Sequence, residues 1–348
     1  ASDSEGGQVN LLYLSVGDEE SYSRGMRGAL GLLCRLKEEF DLDYVLAVDS
    51  EPFEATSDKE KVLHIGTVGK LMPVVVTQGV LSHMKEPLKG INALSLLIAV
   101  ASKLDLHPDL SDQAMGEQSP LPSWSYLRDL KDQYDVSTVL HAAGYFSVLH
   151  LKKTPQELLQ RIKELSQEAV DEFYVKYLSL QDQAGQDHVI SQPRVISYQE
   201  LLDCCQMKEG FLSFQDQCAQ RAHKDFLAGV GYQAIAIQQI QGYLNFLGEK
   251  SPLVVIGFAP PYYPSMNCRS LPNTSLKIGI LVDDYRHYLE RRGLSLKVEE
   301  YFMGICDTSY CALERDLSSY QVVLDSLATP SQVYELDLEN IAQIQVPA

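Results

Sequence analysis

A chain of 348 residues, 45% hydrophobic and 22% charged, is long enough for two domains with sizeable cores. Its net charge of -18 disfavours nucleic acid and anionic membrane surfaces as partners. No stretch approaches the length of an apolar membrane span and no signal-peptide pattern is present, while seven scattered cysteines without a Cys-x-x-Cys pair fit a reduced, cytoplasmic protein.

The first apolar run, residues 9–16, is nearly continuous, as a strand buried on both faces should be. Residues 21–40 then recur at helical spacing, with Met26, Leu30, Leu33 and Leu36 on one side. Tyr44-Val45-Leu46-Ala47-Val48 reads as a second buried strand. Strand, helix, strand in this span is the right-handed crossover unit, so both strands should lie parallel and send Asp18-Glu19-Glu20 and Asp49-Ser50-Glu51-Pro52 out at one sheet edge. Adjacent acids leaving a strand point in different directions. Glu19 and Glu20 can therefore divide the work of proton acceptor and ion ligand, with Glu51 adding an oxygen from the neighbouring strand. The other reading of such a triplet is a helix cap, because acids favour the first helical turn.

From Gly66 the pattern changes. Residues 71–77 form a strand carrying Pro73, compatible with an edge or a strand start. Gly79-Val80-Leu81-Ser82-His83-Met84-Lys85-Glu86-Pro87-Leu88-Lys89-Gly90-Ile91-Asn92-Ala93 reads as a strand end, a loop and the entry to an apolar helix over 92–104. Residues 108–122 are a loop and 139–151 a strand. Thr154-Pro155-Gln156-Glu157 then opens a long helix to about residue 180, with a Thr cap, Pro at the first position and an acid behind it. A polar connection at 181–193 leads to two or three helices within 198–248. Residues 253–258 return to a buried strand, and the Ala259-Pro260-Pro261-Tyr262-Tyr263-Pro264 run leaving it is a stiff loop whose tyrosines can line a wall. An amphipathic helix at 275–292 and a strand at 296–302 deliver Asp307. The expected organisation is one α/β unit, residues 1–66 and 249–348, interrupted by an α+β insertion over 67–248. Gly28-Ala29-Leu30-Gly31 is too short for a phosphate loop, and a Cys-His nucleophile pair stays open, with nothing marking Cys306 beyond its position.

The Asp-Glu-Glu triplet, Glu51-Pro52 and the 79–93 signature, in this order and spacing, resemble the dinuclear-zinc peptidase and deacylase family of acetylornithine deacetylase, succinyl-diaminopimelate desuccinylase and aminoacylase. Ser50-Glu51-Pro52, Gly257-Phe258-Ala259-Pro260-Pro261-Tyr262-Tyr263-Pro264 and Gly304-Ile305-Cys306-Asp307-Thr308-Ser309-Tyr310 bring the chain nearest to the arginine-utilisation, RocB-like branch over nearly its whole length. The resemblance implies a zinc-exopeptidase-like, doubly wound catalytic α/β domain with an inserted ferredoxin-like lid that pairs two copies into a homodimer. It implies two divalent ions, zinc with cobalt or manganese as alternatives, and a small amino-acid-derived amide or peptide as substrate. By the same resemblance Glu19 is the catalytic base, Glu20 a ligand of one metal and Glu51 of the other. His83 is the lid histidine that steadies the oxyanion in the partner subunit's site, and Asn92 stands on the substrate side.

Two departures qualify that expectation. The family's upstream His-x-Asp pair with its bridging Asp, and its metal-binding His near the carboxyl end, have no counterpart, and three carboxylates do not complete a two-metal site. The chain is therefore expected to be an internal fragment of a longer enzyme, inactive or weakly metal-binding alone. A non-catalytic amino-acid-binding or dimeric scaffold protein of the same fold is the alternative. Second, Ser309 stands where relatives present an Arg to a substrate carboxylate. Asp307, Ser309 and Tyr310 offer acceptor, hydroxyl and phenol to a polar or cationic group such as a guanidinium, or else form an ordinary loop turn.

Overall fold

The computed structural model describes residues 10–50, 57–271 and 275–348. Helix α1 (Arg24–Glu39) buries Met26, Leu30, Leu33 and Cys34, the face its spacing predicts. Four short strands follow: β1 (Glu60–His64), β2 (Gly66–Thr67), β3 (Gly69–Leu71) and β4 (Pro73–Gln78). Helix α2 (Ala93–Leu104) is started by Asn92, whose side chain accepts from the Leu94 N–H at 3.0 Å. A small hairpin, β5 (Gln113–Ala114) and β6 (Glu117–Gln118), leads to β7 (Ser123–Asp129) and β8 (His141–His150). The long helix α3 (Pro155–Gln183) opens on the expected capping box: Thr154 Oγ1 accepts from Glu157 N–H at 3.1 Å while Glu157 accepts from Thr154 N–H at 2.7 Å. Strand β9 (Arg194–Ser197) runs into α4 (Tyr198–Gln206), capped in the same way by Ser197 and Glu200. Helices α5 (Phe211–Leu227) and α6 (Tyr232–Leu247) complete the helical stretch before β10 (Leu253–Phe258). Strand β11 (Met266–Asn267), α7 (Ser275–Glu290), β12 (Ser295–Glu299), α8 (Gln321–Ser326) and α9 (Leu338–Ile344) close the chain.

The central sheet runs β3-β8-β4-β10-β9 with β7 beside β8; β4 is antiparallel to both of its neighbours and β9 is parallel to β10. Every residue of β4 and of β10 is buried, because helices cover both faces. Alternation decides which side chain meets which layer. Val75, Val254 and Ile256 join Leu96, Leu97 and Ile162 from α2 and α3, whereas Val74, Val76, Leu253 and Val255 join Leu201, Ala236 and Ile240 from α4 and α6. Each such Val, Leu or Ile side chain, fully buried, stabilises the fold by about 1.5–3 kcal/mol relative to exposure. The mixed α/β class expected from the sequence is thus the class adopted, and the apolar runs of β4 and β10 mark strands covered on both sides. Strands from both sides of the 248/249 division share this sheet, since Val255 of β10 pairs with Val76 of β4. Smaller ladders join β1 to β12 in parallel and β2 to β11 antiparallel, above a cluster of Ile65, Met266, Ile278 and Val282. Among the described residues no helix is long and apolar enough to cross a membrane.

One expectation is corrected. The described residues of the runs 9–16 and 44–48 form no strand, and Leu11, Tyr13, Val45 and Val48 are 95%, 85%, 68% and 78% exposed. Apolarity alone does not make a strand; a neighbour must take up its N–H and C=O groups. The Ala47 N–H reaches the Pro347 carbonyl at 2.8 Å, a single bond rather than a ladder.

Replacing Thr154 by Ala should cost about 1 kcal/mol by removing the α3 cap. Ile162→Ala, which empties a fully buried site on the same helix, should cost about 2–5 kcal/mol. Urea denaturation of both variants measures the two effects.

Candidate active site

The Asp-Glu-Glu segment is a tight turn in front of α1. Asp18 has a positive φ of 73°, and its carbonyl accepts from the N–H groups of Ser21, Tyr22 and Ser23 at 3.3, 3.1 and 2.8 Å. Its carboxylate meets the Arg24 guanidinium at 2.6 Å, which holds the Asp18 carboxyl below its ordinary range. Asp18 is therefore engaged in starting the helix, while Glu19 is left half-buried and Glu20 exposed.

The loop that leaves β10 comes down onto this turn. Lys70 N–H donates to the Tyr263 carbonyl at 2.9 Å and Tyr263 N–H returns the bond at 3.1 Å, so the loop is clamped to β3. The Pro260-Pro261 bond within it is cis. The Tyr263 hydroxyl lies 3.0 Å from Ser23 Oγ, and burial, with the charges of Asp307 and Glu19 adding, pushes the phenol up to about 12.

Asp307 completes the corner from a short 3₁₀ turn, Asp307–Tyr310, that packs against α1. Its side chain is hydrogen-bonded to the Ser23 hydroxyl, and burial raises its pKa, with Asp49 and Asp18 pushing the same way. It is 7% exposed, and its Oδ1 is buried without a hydrogen-bond partner among the described residues. The Cys306 thiol donates to Asp49 Oδ2 at 3.4 Å and is pushed up to about 12 by burial, which makes it a poor nucleophile. Ser309 Oγ meets Thr67 Oγ1 at 2.8 Å and the Tyr310 hydroxyl donates to the Tyr262 carbonyl at 2.7 Å. Both hydroxyls thus tie the turn to β2 and to the tyrosine loop. Of these three residues, Asp307 keeps an oxygen in reserve.

His83 and Asn92 belong to a different part of the molecule. The loop between β4 and α2 is pinched at its neck, where a Cβ on Gly79 would sit 2.1 Å from the Ile91 carbonyl oxygen and one on Gly90 would sit 2.3 Å from that of Val80. Tyr177 of α3 holds it from below, its hydroxyl reaching the carbonyls of Leu88 and Gly90 at 2.7 and 3.0 Å. Both glycines and Asn92 build the loop and the helix start; exposed His83 is what the loop presents. Its Nδ1 accepts from the Lys85 N–H at 3.1 Å, which places the proton of the neutral ring on Nε2.

The contacts therefore bring Asp18, Ser23, Asp49, Tyr263 and Asp307 into one corner, with Glu19 felt at Tyr263. Ser23 carried no signal in the sequence, and Asp49 stood in a motif whose chemistry pointed to Glu51. Glu51 lies outside the described residues. Among the described residues no three His, Cys, Asp or Glu side chains are grouped to hold a metal ion.

No family model matches the chain. The uncharacterized protein YqjN of Bacillus subtilis (strain 168) is 28% identical over 317 residues, 88% of this chain and 56% of that protein. Protein RocB of the same organism is 21% identical over 349 residues, 97% of this chain and 61% of its own length. The chain thus spans about six-tenths of the curated relatives it matches. Among solved structures, a tripeptidase from Staphylococcus aureus subsp. aureus mu50 has a TM-score of 0.39 at 10% identity, covering 82% of this chain and 50% of that one. Aminopeptidase PepT from Bacillus cereus ATCC 10987 has a TM-score of 0.38 at 9% identity, covering 84% and 61%. At these scores the likeness in fold assigns no chemistry.

The folded chain binds the Asp307 proton more tightly than the unfolded chain does, so stability falls as pH rises from the ordinary carboxylate value through the raised one. Asp307→Asn removes that loss. It should melt above the parent at pH 7 and lose its advantage as pH is lowered below about 4, the ordinary aspartate value, in a series of melting curves.

Proposed function

We propose that this chain takes part in hydrolysing a small amino-acid-derived amide or peptide, with Glu19 as the proton acceptor. The observation that carries the reading is the meeting of the Asp18 turn, Asp49 and Asp307 at one corner beneath the tyrosine loop. Glu19 takes the proton of an attacking water and returns it to the leaving amine. His83, a donor at Nε2, steadies the oxyanion, and its exposed loop suits service to the site of a second copy in a homodimer. The likeness to RocB-like proteins supports a role in amino-acid metabolism, arginine utilisation among its branches.

Glu20 and Glu51 are the ligands the family likeness suggests for divalent ions. Two carboxylates do not make a metal site, and among the described residues no third donor joins Glu20. That same observation favours a second reading, in which the chain binds an amino-acid-derived ligand without cleaving it.

Hydrolysis of N-acyl amino acids and dipeptides, followed with zinc, cobalt or manganese supplied, separates the two. Glu19→Gln should lower turnover by about 10²–10⁴-fold, the range for removing a general base. Mixing it with a His83→Ala variant should restore part of the activity through hybrid dimers. Turnover by Glu19→Gln at the parental rate would falsify the role of Glu19, and no turnover by the parent with any ion would leave the binding reading.

A further inference from the structure

We infer that Asp307, backed by Asp49 and Asp18, holds a positively charged organic group, an ammonium or guanidinium, of a small ligand. The inference deepens the functional reading above by naming the chemistry the ligand carries, and it rests on that reading for the location of the site.

Buried carboxylates are normally paired or fully hydrogen-bonded, and among the described residues Asp307 is neither. At 7% exposure it has the Ser23 hydroxyl on its carboxyl group and no partner for Oδ1 among the described residues. Of the cations nearest in sequence to this corner, Arg24 is held by Asp18 at 2.6 Å, and Arg27 lies 3.9 Å over the Tyr334 ring and donates to the Glu335 carbonyl at 2.7 Å while its Nε is buried without a partner among the described residues. Asp49 and Asp18 both act on Asp307 as negative charges, and of the two Asp18 is paired with Arg24.

A metal ion demands several donors at about 2.0–2.6 Å from one point, and no such group exists among the described residues. An ammonium or guanidinium spreads its donors over several atoms and reaches acceptors through N–H bonds of about 2.7–2.9 Å, so it does not need them gathered round one point. A ligand carboxylate is disfavoured on the same ground. The position where an arginine would receive one is Ser309, whose hydroxyl is already bonded to Thr67.

Calorimetric titration of this chain with Nα-acetyl-arginine amide and Nα-acetyl-lysine amide, against the uncharged citrulline and norleucine amides of matching shape, tests the assignment. The cationic probes should bind at least tenfold more tightly than their neutral counterparts, the preference should weaken with added salt, and Asp307→Asn should abolish it. Arginine and lysine probes distinguish guanidinium from ammonium. Equal affinity for charged and neutral probes, or an unchanged preference in Asp307→Asn, would overturn the assignment. If Asp307→Asn fails to fold, the parental charged-to-neutral ratio decides, with Asp49→Asn expected to weaken cation binding several-fold. Cleavage of the probes is scored separately. Turnover without charge preference overturns the cation site and leaves the hydrolytic reading standing; charge-selective binding without turnover does the reverse.

Discussion

The burial of β10 on both faces is the constraint on which the corner depends. Leu253 and Val255 are locked into one helical layer, Val254 and Ile256 into the other, and β4 and β9 hold the strand from its two edges. A strand fixed in all four directions delivers its next residues to one place. The Pro260-Pro261 pair stiffens the exit, Lys70 clamps Tyr263 through two main-chain bonds, and the phenol arrives beside Ser23. Asp307 then receives a hydrogen bond from that serine, so a side chain with little accessible surface is positioned by a sheet core several residues away.

Much of this frame could be read from local chemistry. The Thr154 box and the strand at 253–258 were legible because each signal is self-contained: a hydroxyl with an acid three residues on, or an apolar run bounded by polar turns. The glycine, histidine, proline and asparagine signature at 79–93 was equally visible, and its glycines and Asn92 build a pinched loop and a helix start. Spacing identifies such a loop and does not say which of its residues the loop exists to present.

What could not be read was long-range. Ser23 and Asp307 are nearly three hundred positions apart in sequence and meet only because α1 and the 3₁₀ turn pack together, a contact without any local sign. Ser309 and Tyr310 offered hydroxyl groups, but their partners, Thr67 and the Tyr262 carbonyl, come from distant strands and loops. Strand β7 escaped notice because it forms a sheet margin, with Ser, Arg and Asp among its residues and alternating exposure. The runs at 9–16 and 44–48 failed in the opposite direction: their composition promised burial that the described residues do not supply.

Those two runs have a consequence for the behaviour of the protein in solution. Leu11, Leu12, Tyr13, Val45, Leu46 and Val48 present greasy side chains from segments outside any helix or strand, a surface able to stick to its own kind. A net charge of -18 holds molecules apart by mutual repulsion. Electrolyte shortens the reach of that repulsion to about 8 Å at physiological strength while leaving the adhesive edge untouched. Colloidal stability in this chain is accordingly a contest between the two, tilted toward clumping as ionic strength climbs.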